Sequence, residues 1–161
     1  MTVVSVDTDQ DSFTVTVTAV FDASVERVWE LWSDPRKLER WWGPPSYPAT
    51  FGTHDLVAGG EVRYVMTSPA GEQHSGLWRV TSVDAPVGLA FDDLYLEADG
   101  EPVISLPVTR VTVRLIEHDG GTQMEMRTQL ASREDMDHWL GTGTREGQEQ
   151  AVAQMDALLR L

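Results

Sequence analysis

The chain contains no cysteine, so disulfides, thiolate metal sites and a cysteine nucleophile are excluded, though this alone does not set the compartment. It contains no asparagine, so no N-glycosylation sequon exists. No apolar run approaches the ~20 residues of a membrane-spanning helix. Met1 to Gln10 has neither a positive segment nor an apolar core, so no signal peptide and a cytoplasmic location are expected. Positive charge is scarce: 12 Lys and Arg stand against 26 Asp and Glu, a formal net charge of -14. Phosphate binders gain affinity by placing Lys and Arg against phosphates, and no basic cluster here exceeds Arg36-Lys37. Nucleic acid and anionic membrane surfaces are therefore poor partners.

What is present suits one domain over residues 1–161. There are no internal repeats, low-complexity tracts or linkers. Residues 1–11, with Asp7, Asp9 and Asp11, read as a frayed end. Phe13, Val15, Val17, Ala19 and Phe21 alternate with threonines, the period of a half-buried strand. Ser24 stands at an N-cap, and Val25, Val28, Trp29 and Trp32 follow as an amphipathic stripe. Asp34-Pro35 starts a second short helix bearing Leu38, Trp41 and Trp42, which Gly43-Pro44-Pro45 ends.

The middle of the chain is strand-rich. Val62, Tyr64 and Met66 alternate after Gly59-Gly60, and a turn at Pro69-Ala70-Gly71 leads to a strand from about Gln73 to Val83. Another runs from about Val87 to Glu97 and meets the hairpin signal Asp99-Gly100. The return contains Pro102 and Pro107, which predicts an edge or a bulge before Val111, Val113 and Leu115. Gly120-Gly121 leads to Met124, Met126, Thr128 and Leu130. Ser132 with Asp135 resembles a capping box, and Gly141-Thr142-Gly143 weakens that helix. From Thr144 to Leu161 one long helix carries Gln148, Val152, Met155 and Leu159 on a stripe. The expected class is α+β: about seven antiparallel strands with one dry face, covered by the terminal helix.

Chemical motifs are few. His54, His74, His118 and His138 have no metal-ligand spacing, and no metal or cofactor is expected. No nucleophile elbow, phosphate loop or dinucleotide fingerprint is present. Glu26 and Glu30 read as a solvated helix face. Asp92-Asp93 interrupts an apolar strand, either as a bulge at the sheet edge or with an acid turned into a pocket. Gln148 sits on an apolar stripe, either at the wet end of the helix or as a polar contact inside a cavity.

Phe21-Asp22-Ala23-Ser24-Val25-Glu26-Arg27-Val28-Trp29, Trp32-Ser33-Asp34-Pro35, Trp41-Trp42-Gly43-Pro44 and Gly59-Gly60-Glu61-Val62-Arg63-Tyr64-Val65-Met66 together resemble the SRPBCC, or START-like, superfamily. More narrowly, the chain is similar to bacterial relatives of the C-terminal domain of the activator of the heat-shock protein 90 ATPase. Gly71, Gly76, Pro86, Asp99-Gly100 and Gly121-Thr122 extend the likeness over about residues 13–160. The resemblance implies a helix-grip fold, a curved sheet wrapped on the C-terminal helix. Members of that superfamily include lipid and hydrophobe carriers, polyketide cyclases, aromatase-like proteins and co-chaperone domains, so the fold leaves the role open. One departure stands out: the family's Gly-Trp pair at the start of the long helix is Gly147-Gln148 here.

The leading expectation is a small hydrophobic or aromatic ligand held in a cavity between the sheet and the last helix, with a role in stress response or lipid and polyketide metabolism. Its expected lining is Trp32, Trp42, Tyr64, Met66, Trp78, Phe91, Tyr95, Met124, Met126, Trp139, Gln148, Val152 and Met155. One alternative is a chaperone-interacting domain. Another is a cyclase or hydrolase acting on an apolar substrate, using Asp92, Asp93, His74 or His138. No catalytic set is assigned, and homodimerisation stays open.

Overall fold

A computed structural model describes residues 3–160, with only the backbone of Val3. Eight antiparallel strands form one sheet: β1 (Val3–Asp9), β2 (Thr14–Phe21), β3 (Ala49–His54), β4 (Glu61–Thr67), β5 (Gln73–Asp84), β6 (Gly88–Leu96), β7 (Thr109–His118) and β8 (Gly121–Gln129). Their order is β1-β2-β8-β7-β6-β5-β4-β3, so β1 and β3 are the edges. The helices are α1 (Val25–Ser33), α2 (Pro35–Leu38), α3 (Arg133–Gly141), α4 (Thr144–Ala153) and α5 (Met155–Leu159). This is the α+β helix-grip arrangement expected from the sequence.

Alternation assigns the faces. In β2, Val15, Val17, Ala19 and Phe21 are buried, and in β7 Val111, Val113 and Leu115 are. Met124 and Met126 of β8 pair with Ala19 and Val17. These residues form the sheet's concave wall. α1 covers it with Val25, Val28, Leu31 and Trp32; Leu31 takes the buried place that the sequence stripe assigned to Trp29, which is half-buried. Ser24 caps α1 by accepting the Arg27 N–H, and Asp34 caps α2 by accepting that of Arg36. Long-range bonds lock the covering elements. Arg27 Nη2 donates to Leu159 O at 2.7 Å, Thr122 Oγ1 to Ala23 O at 2.7 Å, and Arg36 Nη2 to Phe51 O at 2.6 Å.

Three expectations are corrected. The segment read as a frayed end forms β1, paired with β2 from Val3↔Val20 to Asp9↔Thr14; Met1 and Thr2 lie outside the described residues. Alternation of Val4 and Val6 with Ser5 and Asp7 was masked by the acidic residues. The Pro102–Pro107 stretch is no edge strand. Pro102 makes one bridge to Leu96, the chain loops to Val108, and β7 then enters the sheet between β6 and β8. The long terminal helix is interrupted at Gln154, whose N–H bonds Ala151 O in a tightened turn while Nε2 donates to Trp41 O and Gly43 O. Leu161 lies outside the described residues.

The core has two parts. The larger spans the concave face, α1, α2, α4 and α5; the smaller joins Val15, Leu130, Met136 and Trp139. Half-buried Val6 of β1 packs on both. Val6→Asp should therefore lower unfolding free energy by about 1–3 kcal/mol, read from a urea midpoint, because an unpaired charge enters a packed seam. A merely frayed segment would leave the midpoint unchanged.

Candidate functional site: an aromatic interior with unpaired polar atoms

The concave face gathers rings from six elements. Trp32 comes from α1, Trp41 and Trp42 from the segment after α2, Phe51 from β3, Tyr64 from β4, Trp78 from β5 and Phe91 from β6. Trp78 and Phe91 stack with centroids 4.0 Å apart and planes 14° off parallel. Trp32 meets Trp41 edge-on at 4.7 Å, and Trp42 meets Trp78 at 4.8 Å. Trp32, Trp78 and Phe91 are 0% exposed. The space expected to be a gap is filled by these rings. Two surface depressions lie elsewhere. One, of about 630 Å³, is bordered by Phe13, Asp92, Val108, Arg110 and Leu130, and the other, of about 230 Å³, by Asp22, Asp156, Leu159 and Arg160.

The filling is chemically incomplete. Trp41 Nε1 donates to Leu31 O at 2.8 Å. In contrast, Nε1 of Trp32, Trp42 and Trp78 is buried without a well-formed hydrogen bond; Trp42 comes nearest to one, at the Tyr64 hydroxyl. Gln148 donates through Nε2 to Thr128 Oγ1 at 3.2 Å, but its buried Oε1 receives nothing. That places Gln148 as a polar contact facing β8 rather than at a wet helix end. A buried polar group left unpaired costs about 1–3 kcal/mol. Such groups are uncommon in an inert core and call for a specific reason.

A polar strip leads outward from this cluster. Tyr64 of β4 reaches over β5 to β6, donating from Oη to Asp93 Oδ1 at 2.9 Å. Gly76 makes the reach feasible. It is paired with Tyr64, and a Cβ there would lie 2.2 Å from the tyrosine Cζ. No Lys, Arg or His lies within ion-pair distance of Asp93 among the described residues. Burial, opposed by the Tyr64 hydrogen bond, pushes the Asp93 carboxyl up to about 7. Tyr64 is raised well above the ordinary tyrosine range by burial and then by the Asp93 charge. Tyr95, two residues along the same face and 40% exposed, is raised by burial of its ring and by Asp93, with Thr144 opposing.

The expected site residues divide accordingly. Trp32, Trp78, Phe91, Met124, Met126, Val152 and Met155 are buried in the main core, with Tyr64 at its polar margin. Trp42 and Met66 are half-buried against it, Gln148 faces β8 and Tyr95 stands at the rim. Trp139 is apart, in the smaller core. Of the four acid–base candidates, His74 and His138 are exposed and Asp92 pairs with Arg110 across β6 and β7 at 3.3 Å. Asp93 alone turns inward. β6 is an interior strand, so Asp92-Asp93 is not an edge bulge; the register shift falls on β5 between Val80 and Ser82. The expected lining omitted Trp41, although the sequence places it on an apolar stripe, and it omitted Phe51 and Thr144 and gave Gly76 no physical role. A glycine inside an apolar strand was the available signal for close approach. Among the described residues no three His, Asp or Glu side chains are grouped to hold a metal ion, and no helix is long and apolar enough to cross a membrane.

Gly76→Ala should displace the Tyr64 ring and lower unfolding free energy by about 1–3 kcal/mol, with loss of the Tyr64–Asp93 hydrogen bond visible by crystallography. Asp93 also sets a pH dependence. Its folded pKa of about 7 exceeds the ordinary 3.8, so the fold binds the proton more tightly than the unfolded chain. Stability is then greatest below about pH 4 as far as this group is concerned, and is lost as pH rises through 7. Asp93→Asn keeps an acceptor for Tyr64 and removes the charge. It should raise the melting temperature by several degrees at pH 8 and flatten its pH dependence between 4 and 8.

Residues 22–160 match the family described as Activator of Hsp90 ATPase homolog 1-like protein. Solved structures agree. Protein Ms6760 from Mycobacterium smegmatis is 44% identical, with a TM-score of 0.90 over 98% of this chain and 97% of that one. A protein from Arthrobacter aurescens is also 44% identical, with a TM-score of 0.93 over 97% and 91%. A Rhodobacter sphaeroides protein at 24% identity shares the fold, with a TM-score of 0.81 over 99% of both chains. No curated protein matches. The chain belongs to the Activator of Hsp90 ATPase homolog 1-like family, built on the helix-grip fold.

Proposed function

We propose that this protein binds a small, largely aromatic molecule on the concave face of the sheet, beneath α4 and against the tryptophan cluster. The observation that carries the reading is the set of buried polar atoms without well-formed hydrogen bonds: three indole N–H groups in rings within 4.8–6.1 Å of one another, and the Gln148 amide oxygen. An aromatic guest bearing a hydrogen-bonding group supplies apolar contact and the missing partners together. Because the rings fill the interior, the guest must displace side chains. The least tightly packed place for that is the margin formed by half-buried Trp42, exposed Tyr95 and the α3–α4 junction. There Gly143 adopts φ 78° and α4 begins without a side-chain cap. Where the family resemblance implies an indole beside the helix glycine, Gln148 supplies a shorter amide and a polar contact at this end.

The chaperone-interacting alternative rests on the family description and on the Glu97–Val108 loop, whose Ile104 is 97% exposed. It gives no reason for unpaired polar atoms inside, so it is the second reading. A cyclase or hydrolase activity would have to work through Asp93, the one inward-facing acid among its candidates.

A thermal-shift screen of fatty acids, flavonoids and polyketides, followed by tryptophan quenching, tests ligand binding. A true ligand at 100 times its Kd should add about 2.7 kcal/mol of stability, a shift of several degrees, with quenching in parallel. Uniformly unchanged melting and emission across all classes would overturn the proposal.

A further inference from the structure

At the margin of the aromatic interior stands half-buried Asp93, a carboxylate with no cation within ion-pair distance among the described residues. Asp93 accepts from Tyr64 Oη at 2.9 Å and is paired across the sheet with Trp78, whose side chain is 0% exposed. Trp42 lies edge-on to both Tyr64 at 5.8 Å and Trp78 at 4.8 Å. Tyr95 lies two residues further along β6, at the solvent margin. Among the described residues no arginine is within ion-pair distance of Asp93. Arg110 serves Asp92 on the opposite face, and Arg63 is held outside by Glu61 and Gly100 O.

An anion in such a place is disfavoured unless something neutralises it. Elsewhere a carboxylate such as Glu30 meets a cation, Lys37, at 2.6 Å. Here the surroundings are indole and phenol rings, whose faces attract cations by their quadrupoles. Carboxylate and ring faces together select positive charge on a flat apolar body. A neutral ligand would leave the charge unmet, and an anionic one would add repulsion. The overall charge of -14 further concentrates cations at the surface.

We infer that Asp93, with Tyr64 and the Trp42 and Trp78 rings, forms a recognition site for the protonated amine of an aromatic amine ligand, which approaches past Tyr95. The inference rests on the ligand-binding reading above and names the ligand's chemical class. Asp93 is a binding residue here and Gly76 a positioning one, since the glycine lets Tyr64 cross β5 to hold the carboxylate.

Three probes of one shape separate the possibilities: 2-naphthylmethylamine, 2-naphthalenemethanol and 2-naphthoic acid. Affinities are measured by calorimetry at pH 8 and pH 5.5. At pH 8 the amine should bind at least tenfold tighter than the alcohol, and the acid most weakly. At pH 5.5 the amine's advantage should shrink, because Asp93 gains a proton while the amine keeps its own. Tyr64 on β4 and Tyr95 on β6 are the titratable groups facing Asp93, and both remain protonated across this range. Trp78 on β5, Thr109 on β7 and Thr144 on α4 do not titrate. Asp93→Asn should abolish the preference for the amine over the alcohol. Asp92→Asn, on the outer face, should leave that preference unchanged. Equal binding of amine and alcohol at pH 8, or a preference that survives in Asp93→Asn, overturns the inference and leaves aromatic binding intact. Failure of all three probes to bind overturns both. The pH comparison uses the unmodified protein, so it decides even if the variant fails to fold.

Discussion

A curved antiparallel sheet must bury its concave face, and here the burial is done largely with indoles. That choice shapes the rest. Indoles supply large apolar area but each carries an N–H that needs an acceptor. Trp41 finds one in the Leu31 carbonyl, because α1 and the segment after α2 are tied side by side. Trp32, Trp42 and Trp78 form no such bond. The sheet, the two early helices and α4 are therefore assembled around atoms that the protein alone leaves unsatisfied.

The Tyr64–Asp93 pair is the second consequence of the same geometry. β4 and β6 are separated by β5, so their side chains would ordinarily not meet. Gly76 removes the obstacle, and the phenol crosses to the carboxylate. The pair links the dry cluster to the margin at Tyr95 and Thr144. Burial of the carboxyl, opposed by the Tyr64 hydrogen bond, makes the fold most stable when Asp93 is protonated, so the charged state is held against a penalty. Stability withheld at one carboxylate is available to a partner that neutralises it.

Much of the architecture was readable from periodicity. The inward residues of β2, β7 and β8, the caps at Ser24 and Asp34, and the Val25, Val28 and Trp32 positions of the α1 stripe follow from alternation and spacing. The orientation of Asp93 was legible in principle, since Phe91 faces inward and residues two apart share a face. The apolar run around the acids hid it, and an interior strand was mistaken for an edge. β1 was missed because its valines alternate with acids, and the Pro102–Pro107 loop because its hydrophobes resemble a strand. The state of the interior was not legible. Whether seven rings leave a gap or interlock depends on distances that spacing does not carry. Trp139 shows the limit: its stripe predicted burial correctly, but the body it packs against is the smaller core.

The most direct measurement is the set of indole N–H resonances in a nitrogen-15 correlation spectrum during titration with an aromatic ligand. Capture of a guest by the unpaired donors predicts that the Trp32, Trp42 and Trp78 signals move and become protected from exchange. The Trp41 signal, already bonded to Leu31 O, should stay in place. If none of the three signals moves while the ligand is shown to bind, the unpaired atoms belong to a closed core and the guest sits elsewhere.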